Sequence, residues 1–223
     1  MRPSRFPTSL LLAVSTLLVA GCTTTQVALP EIGPRFKPAN IYRAVQKLPP
    51  DFRRVAILPL TTHGEDLTDS AHLDQVQRIL EEELRKTRRF ETLSINRTEL
   101  SRWIGRRQVS ASEPLPADFL ARIRTNLVAD GVVFVRVHSL RVYPPVSIGL
   151  EARLVTTSTG QTLWSADETF DAGDADVARA ARDYFRAHHT GPTELGDPQA
   201  DLRSPTRFTR YAAQAVAETL PAR

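Results

Sequence analysis

The chain has 223 residues, with 29 Lys+Arg against 25 Asp+Glu and a single cysteine. One cysteine permits no disulfide within the chain, so packing alone must hold the fold. Nucleic-acid binding calls for a basic face and an intracellular address, and the small net charge and the export signal described next both argue against it.

The first 22 residues have the organisation of a secretory signal. Arg2 and Arg5 form a short positive region, residues 10–20 (LLLAVSTLLVA) form an apolar run, and two small residues lead into Cys22. A membrane-spanning helix needs roughly 20 apolar residues, about twice the length of this run. We therefore predict that residues 1–21 are a cleaved signal peptide and not a membrane span.

The end of this signal, Leu-Val-Ala-Gly-Cys, resembles the lipobox of bacterial lipoproteins. The resemblance implies cleavage between Gly21 and Cys22 and attachment of diacylglycerol to the Cys22 sulfur. Lipidation also accounts for the position of the only cysteine, since a free thiol is reactive in an oxidising compartment. The alternative is an ordinary signal with a chance cysteine near its cut site. Two or more acyl chains, at about 0.8 kcal/mol per buried methylene, give stable anchoring without a span.

Residues 22–39 are predicted to be a lipidated tether. They carry three prolines and few apolar residues, and residues 23–39 could reach about 55 Å at roughly 3.3 Å per residue. Thr23 stands where aspartate marks inner-membrane retention in some bacteria, which favours the outer membrane, facing the periplasm. The remaining residues, 40–223, are enough for a single periplasmic domain.

The first half of this domain is predicted to alternate strands and helices. Residues 40–48 favour a short helix, and residues 53–60 (RRVAILPL) favour a strand buried on both faces. After a loop at residues 61–69, apolar residues recur with helical spacing at Leu73, Val76, Leu80 and Leu84. The other elements of this half are a strand at residues 90–95 and helices at residues 98–104 and 116–130.

The second half is predicted to contain an antiparallel meander, formed by residues 132–143, 148–156 and 161–170. In the middle run the side chains alternate, with Ile148, Leu150, Ala152 and Leu154 on one face and Gly149, Glu151, Arg153 and Val155 on the other. A helix at residues 174–188, a loop at 190–203 and a last helix from Pro205 follow. This order indicates an α/β fold, with a single mixed sheet of about five strands and helices packed on it.

The sequence contains no established catalytic or metal-binding motif. Its ten glycines form no G-x-G-x-x-G, P-loop or G-x-S-x-G pattern, and there is no H-E-x-x-H. Two histidines and three acids do cluster, at His63, Glu65, Asp66, Asp69 and His72. Their spacing fits no compact ligand pattern, so a polar loop is the preferred interpretation. We predict no catalytic residue, metal or cofactor.

Two acidic pairs also have simpler explanations than chemistry. The segment with Asp171, Asp174 and Asp176 lacks the central glycine and the last carboxylate of a calcium loop, so capping of the next helix is favoured. Asp167 and Glu168 are adjacent and would point to opposite faces of a strand, which excludes a carboxylate dyad. A Ser-His arrangement would depend on the fold and stays open.

Two clusters of basic residues lie at predicted helix ends. The larger contains Arg85, Lys86, Arg88 and Arg89, and the smaller contains His188 and His189. Cations are favoured there by the helix dipole, and we prefer that explanation for the larger cluster over a phosphate site.

Several short motifs together resemble one group of envelope proteins. Besides the lipobox, they are R-V-A-I-L-P-L at residues 54–60, the helix of residues 75–88 followed by R-F-E-T-L, A-D-G-V-V at 129–133 and T-G-Q-T-L-W at 159–164. The group comprises the curli-secretion lipoprotein, lipoprotein activators of penicillin-binding proteins and the amino-terminal domain of TolB. The resemblance implies an α/β module that binds proteins in the envelope, although the long hairpins of the curli channel have no counterpart here.

We therefore expect a lipid-anchored, non-enzymatic adaptor or accessory factor in envelope assembly or secretion, with an envelope protein complex as its partner. One alternative is an auxiliary lipoprotein of a transport system that binds lipid or another hydrophobic ligand. A hydrolase is the third hypothesis.

Overall fold

The structure, a computed structural model, describes residues 36–62, 70–188 and 198–223. All of them belong to one compact unit that spans Gly33–Arg223. The signal peptide, the lipid attachment site at Cys22 and residues 22–35 of the predicted tether lie outside the described residues, so these assignments remain predictions.

Seven strands and six helices make up the described part of the chain. The strands are β1 (Ile41–Arg43), β2 (Arg54–Ile57), β3 (Thr61–Thr62), β4 (Glu91–Ser94), β5 (Gly131–Arg141), β6 (Ser147–Thr156) and β7 (Thr162–Asp171). The helices are α1 (Ser70–Lys86), α2 (Arg97–Ile104), α3 (Phe119–Leu127), α4 (Ala175–His188), α5 (Pro198–Arg203) and α6 (Pro205–Glu218).

All seven strands form one mixed sheet in the order β1-β7-β6-β5-β2-β4, and β3 pairs with β5. Strands β4, β2 and β5 are parallel, and so are β3 and β5. Strands β5, β6, β7 and β1 are antiparallel neighbours. The mixed α/β architecture and its antiparallel meander are as predicted, but the expectation of about five strands is wrong because two short strands were missed.

The first missed strand is β1, in the segment predicted as a helix at residues 40–48. Its three residues pair antiparallel with the outer edge of β7, with Ile41 opposite Ala166 and Arg43 opposite Trp164. Pairing with an available sheet edge overrides the weak helical preference of so short a segment, which contains a β-branched and an aromatic residue.

The second missed strand is β3, which follows a break in the predicted strand of residues 53–60. Pro59 has no N–H to donate to a neighbouring strand, and the ladder stops just before it. Leu58 still donates its N–H to Val133, and the N–H of Leu60 turns instead to the Gln77 side chain at 2.7 Å. Pairing with β5 resumes at Thr61.

A third correction concerns residues 190–203, which were predicted to be a loop. Residues Pro198–Arg203 form the helix α5, since proline is tolerated in the first turn of a helix. Leu202 of this helix is buried in the core. The predicted start of the last helix is confirmed, because Ser204 caps it and Pro205 is its first residue.

Helices cover the two faces of the sheet unequally. On one face, α1, α4, α5 and α6 contribute to a large core cluster with side chains from β2, β5, β6 and β7. On the other face, α2 and α3 contribute to a smaller cluster, which involves β2, the first half of β5 and only Val155 of β6.

None of the helices in the described ranges combines the length and the apolar composition needed to cross a bilayer.

The larger core contains one buried polar contact that fixes α6 on the sheet. Trp164 of β7 is fully buried, and its indole N–H donates to Thr219 Oγ1 at 3.0 Å. The Thr219 hydroxyl in turn donates to the carbonyl of Val216 at 2.6 Å. An indole N–H in an apolar core needs such an acceptor, because a buried donor without a partner costs about 1–3 kcal/mol.

We predict that Thr219→Val lowers the free energy of unfolding by about 1–3 kcal/mol, because it keeps the side-chain shape but removes the acceptor of Trp164. Urea denaturation followed by tryptophan fluorescence measures the change. The control is Thr125→Val on the exposed face of α3, which should shift stability by less than about 0.5 kcal/mol. Equal stability of both variants would contradict this role for Thr219.

Candidate functional site

The side of the sheet that α2 and α3 leave uncovered is the broadest candidate surface among the described residues. We call it the open face, and it comprises Tyr42, Arg136, His138, Gly149, Glu151, Arg153, Ser165, Asp167 and Thr169. Tyr42, Asp167 and Thr169 are exposed, and the partly buried members remain in contact with water. The face therefore presents polar side chains to solvent on a rigid sheet.

Ion pairs across neighbouring strands order the middle of the open face. Arg136 Nε of β5 donates to Glu151 Oε2 of β6 at 2.6 Å, and Arg153 lies 3.4 Å from the other oxygen of the same carboxylate. Glu151 is the most buried of the three, with 13% of its side chain exposed. One carboxylate thus holds two guanidinium groups in fixed positions.

A second pair on the open face spans three strands. In β5, a bulge places His138 and Ser139 opposite Gly149 of β6. His138 crosses over Gly149, and its Nε2 lies 3.1 Å from Asp167 Oδ1 on β7, an ion-pair distance although not in hydrogen-bond geometry. A Cβ at position 149 would overlap the imidazole ring, so this arrangement requires glycine there.

The combination of Ser139, His138 and Asp167 bears on the hydrolase hypothesis. Nucleophilic catalysis needs a hydroxyl hydrogen-bonded to the base, and within the described residues Ser139 Oγ has no hydrogen bond to His138. Asp167 is also 48% exposed, unlike the buried carboxylate that orients a catalytic histidine. The geometry favours a structural contact over a catalytic one.

A cleft of about 380 Å³ lies where strands β2 and β4 end. Crevices at the carboxyl ends of parallel strands are common ligand sites in α/β folds. Its lining consists of Pro59, Leu60, Asp74, Gln77, Glu81, Ser94, Ile95, Asn96 and Arg97. Two thirds of these residues are polar or charged, but the surface that they expose to the cleft is mainly apolar.

The polar groups of this cleft are largely occupied by contacts between elements. Gln77 accepts from the Leu60 N–H and donates to Glu81, and Glu81 also accepts from the Ser94 hydroxyl at 2.8 Å. Arg97 lies 3.4 Å from Asp74. These contacts connect α1 to the ends of β2 and β4, and they account for the cleft without a ligand.

The larger basic cluster has structural partners at two of its positions. Lys86 pairs with Glu82 and with the buried Glu83, and these hydrogen bonds outweigh the effect of burial and raise the pKa of Lys86. Arg89 donates to the carbonyls of Pro221 and Glu218, where α6 ends. Burial, together with repulsion from Arg43, lowers the pKa of Arg89. These contacts support a structural explanation for Lys86 and Arg89 over a phosphate site.

Glu83 also connects α1 to α6. Arg210 of α6 lies 2.9 Å from Glu83 and 2.8 Å from Glu82. The hydrogen bond from Arg210 is the main reason that the pKa of Glu82 is lowered. Beside this network, burial raises the pKa of Tyr184 to about 12. The network holds the two central helices together and faces away from the open face.

The two acidic segments noted in the sequence have structural partners. Asp174 accepts from the N–H groups of Asp176 and Val177, so capping explains this acidic segment, and Asp171 pairs with Arg141. Asp167 and Glu168 lie on opposite faces, and Glu168 accepts from the N–H of Ala39 at 2.8 Å.

The structure does not test the other histidine candidates in full. His63, Glu65, Asp66, Asp69 and His189 lie outside the described residues. Within the described ranges, no group of three or more His, Cys, Asp or Glu side chains could hold a metal ion.

Sequence reasoning did not find the pair of His138 and Asp167. Its only sequence signal is Gly149, a glycine inside an alternating strand, which often marks a bulge or a close approach of another group. The partner of that approach could not be known before the strand register was fixed.

No family model matches the chain, and no curated protein matches it. Among solved structures, the PelC dodecamer from Paraburkholderia phytofirmans has a TM-score of 0.44 at 13% identity, covering 82% of this chain and 98% of that one. Lipoprotein GNA1162 from Neisseria meningitidis has a TM-score of 0.37 at 14% identity, covering 62% and 99%. TolB from Acinetobacter baumannii has a TM-score of 0.29 at 14% identity, covering 67% and 31%.

These neighbours include a lipoprotein and TolB, and TolB belongs to the group that the sequence motifs resemble. At TM-scores below 0.5, the likeness carries no information on partner or activity.

We predict that Gly149→Ala lowers the free energy of unfolding by about 1–3 kcal/mol, because the added methyl displaces the His138 ring from its place over β6. Because the methyl would also meet the Ser139 hydroxyl, adding His138→Ala should restore part of the loss. Urea denaturation of the two single variants and the double variant gives the coupling energy. Additive effects in this cycle would show that the two residues do not share this space.

Proposed function

We propose that this chain is a lipid-anchored protein of the bacterial envelope, whose α/β domain acts as a non-enzymatic adaptor or accessory factor. In this proposal, Cys22 carries the lipid, the outer membrane holds the anchor, and the open face binds a protein partner in the periplasm. The partner belongs to an envelope assembly or secretion complex.

The observation that carries the proposal is the open face itself. Protein interfaces combine an aromatic anchor with polar contacts whose side chains are already fixed in the free protein. Here Tyr42 supplies an exposed aromatic ring, 54% accessible. Beside it, the pairs around Glu151 and Asp167 hold their side chains in place. Little conformational entropy is then lost when a partner binds.

The chemistry of the open face favours a protein surface over a lipid or a small ligand. It carries two arginines and two carboxylates, so neither charge dominates, and its exposed side chains are polar apart from the ring of Tyr42. A lipid tail would need an apolar cavity, which the polar and charged side chains of the open face do not provide.

The anchor can be tested by Cys22→Ser, which removes the only thiol available for acylation. Two acyl chains make membrane binding stable, so we expect the wild-type chain in the membrane fraction and the variant in the soluble periplasmic fraction. Thr24→Ser is the matched control and should stay with the membrane. This part of the proposal would be contradicted if mass spectrometry found Cys22 unmodified, or if the serine variant still bound to membranes.

The docking surface can be tested by a photo-crosslinking amino acid at position 169 on the open face, incorporated in intact cells. We expect a defined crosslinked complex, whose yield falls about fivefold to tenfold with Tyr42→Ala, since an exposed aromatic anchor is a typical hot spot. Tyr143→Ala is the matched control, because Tyr143 is also exposed, at 78% against 54% for Tyr42, but lies in the β5–β6 turn.

This crosslinking result has two outcomes that count against the proposal. The first is that position 169 yields no defined protein complex in repeated experiments. The second is that Tyr42→Ala and Tyr143→Ala change the yield equally, which would mean that the open face is not where the partner lies.

A further inference from the structure

Two helices of this chain end at a residue in the left-handed conformation that is not glycine. Arg88, between α1 and β4, has φ of 54°, and Val128, at the end of α3, has φ of 51°. Helix α2 follows the usual rule and ends at Gly105 with φ of 72°. A β-branched residue is a genuine outlier in this region, because its side chain crowds the backbone.

Packing among the described residues does not explain these two side chains. Val128 is 66% exposed, so burial of its side chain contributes little free energy to offset the cost of the strained backbone. Arg88 is exposed too, and within the described residues its side chain has no ion pair. Strained residues of this kind cluster at sites of function.

Both residues lie at the end of the sheet where the parallel strands β4, β2 and β5 begin, on either side of Arg53. Arg53 is exposed and precedes β2, the strand between β4 and β5. Its carbonyl accepts from the N–H of Glu91, and its N–H donates to Asp130 at 2.8 Å. Because Arg88 and Val128 come just before Glu91 and Asp130, the three form one surface, which we call the amino edge.

The amino edge has positive charges that the protein itself does not neutralise. The side chains of Arg53 and Arg88 have no carboxylate partner among the described residues. The two nearest acids are engaged, since Glu91 pairs with Arg54 and Asp130 accepts from two backbone N–H groups. Asp51 is exposed and close by in sequence, but no ion pair joins it to Arg53 or Arg88 within the described residues. Exposed guanidinium groups bind carboxylates with two parallel hydrogen bonds.

The chain enters the domain away from the amino edge. Phe36 packs edge-on against Phe170, with ring centres 5.3 Å apart, where β7 ends. Strand β7 runs in the same direction as β5, so the chain enters the domain at the edge opposite to the amino edge.

We propose that the amino edge docks an acidic segment of an envelope protein, with Arg53 and Arg88 binding its carboxylates and Val128 contacting an apolar side chain beside them. The proposal rests on the adaptor function proposed above and adds the class of partner segment. It also explains why Val128 and Arg88 occupy positions at which glycine would fit without strain.

The test places a photo-crosslinking amino acid at position 126, on the exposed surface of α3 two residues before Val128, in intact cells that produce the full chain. Mass spectrometry then reads the crosslinked peptide. We expect a peptide rich in Asp and Glu, and a yield that falls about tenfold in the double variant Arg53→Glu, Arg88→Glu. Exchanging the acidic residues of that peptide for arginine should restore the yield in the charge-reversed chain.

A second variant separates docking from folding. Val128→Gly relieves the backbone strain, so the folding equilibrium constant should be unchanged or raised about threefold, while the crosslinking yield should fall. A merely structural role for Val128 predicts the opposite pair of results. Thermal unfolding of the purified chain supplies the stability measurement.

Several outcomes overturn the proposal: crosslinks only to lipid or to a second copy of this chain, no crosslinked product, or a yield insensitive to charge reversal. Crosslinking from position 169 on the open face is measured in the same strains. If that complex persists while position 126 gives none, the amino edge is wrong and the adaptor function stands.

Discussion

The need to bury both faces of a parallel sheet, but only one face of an antiparallel sheet, determines the layout of this protein. Strands β4, β2 and β5 are parallel, and helices cover β2 and the first half of β5 on both sides. Strands β6, β7 and β1 are antiparallel, and the described helices cover only one of their faces. The open face exists because the sheet changes from one kind of pairing to the other at β5.

The sequence predicts this layout where its patterns are long. The strict alternation in β6 indicated that Glu151 and Arg153 share one face and Leu150 and Leu154 the other, and the structure agrees. The helical spacing of α1 likewise predicted its buried side. The two shortest strands were not predicted, because three residues in β1 and two in β3 are too few to show a periodic pattern. Their conformation is decided by the strands they pair with, which lie far away in sequence.

The details of the candidate surfaces could not be predicted for a different reason. The contact of His138 with Asp167 depends on a bulge that advances β5 by one residue, and bulges leave no clear pattern in composition. The left-handed backbone of Val128 is even harder to predict from the sequence, because glycine is the preferred residue in this conformation and the chain has valine there. Sequence rules fail at such positions when a side chain is kept for contacts outside the fold.

The edges of the sheet explain why side chains, and not backbone pairing, should carry recognition. Among the described strands, a partner strand could extend the sheet at β1, at β4 or at the two-residue β3. Strand β1 has three residues, and β4 has four and begins with the exposed charge of Glu91. Such short, charged edges discourage strand addition.

Adjacent residues of β7 lie on opposite faces of the sheet. Glu168 accepts a hydrogen bond from the entering chain, while Asp167 lies on the open face. The alternation of a single strand thus separates the residue that binds the entering chain at Ala39 from the residue on the open face.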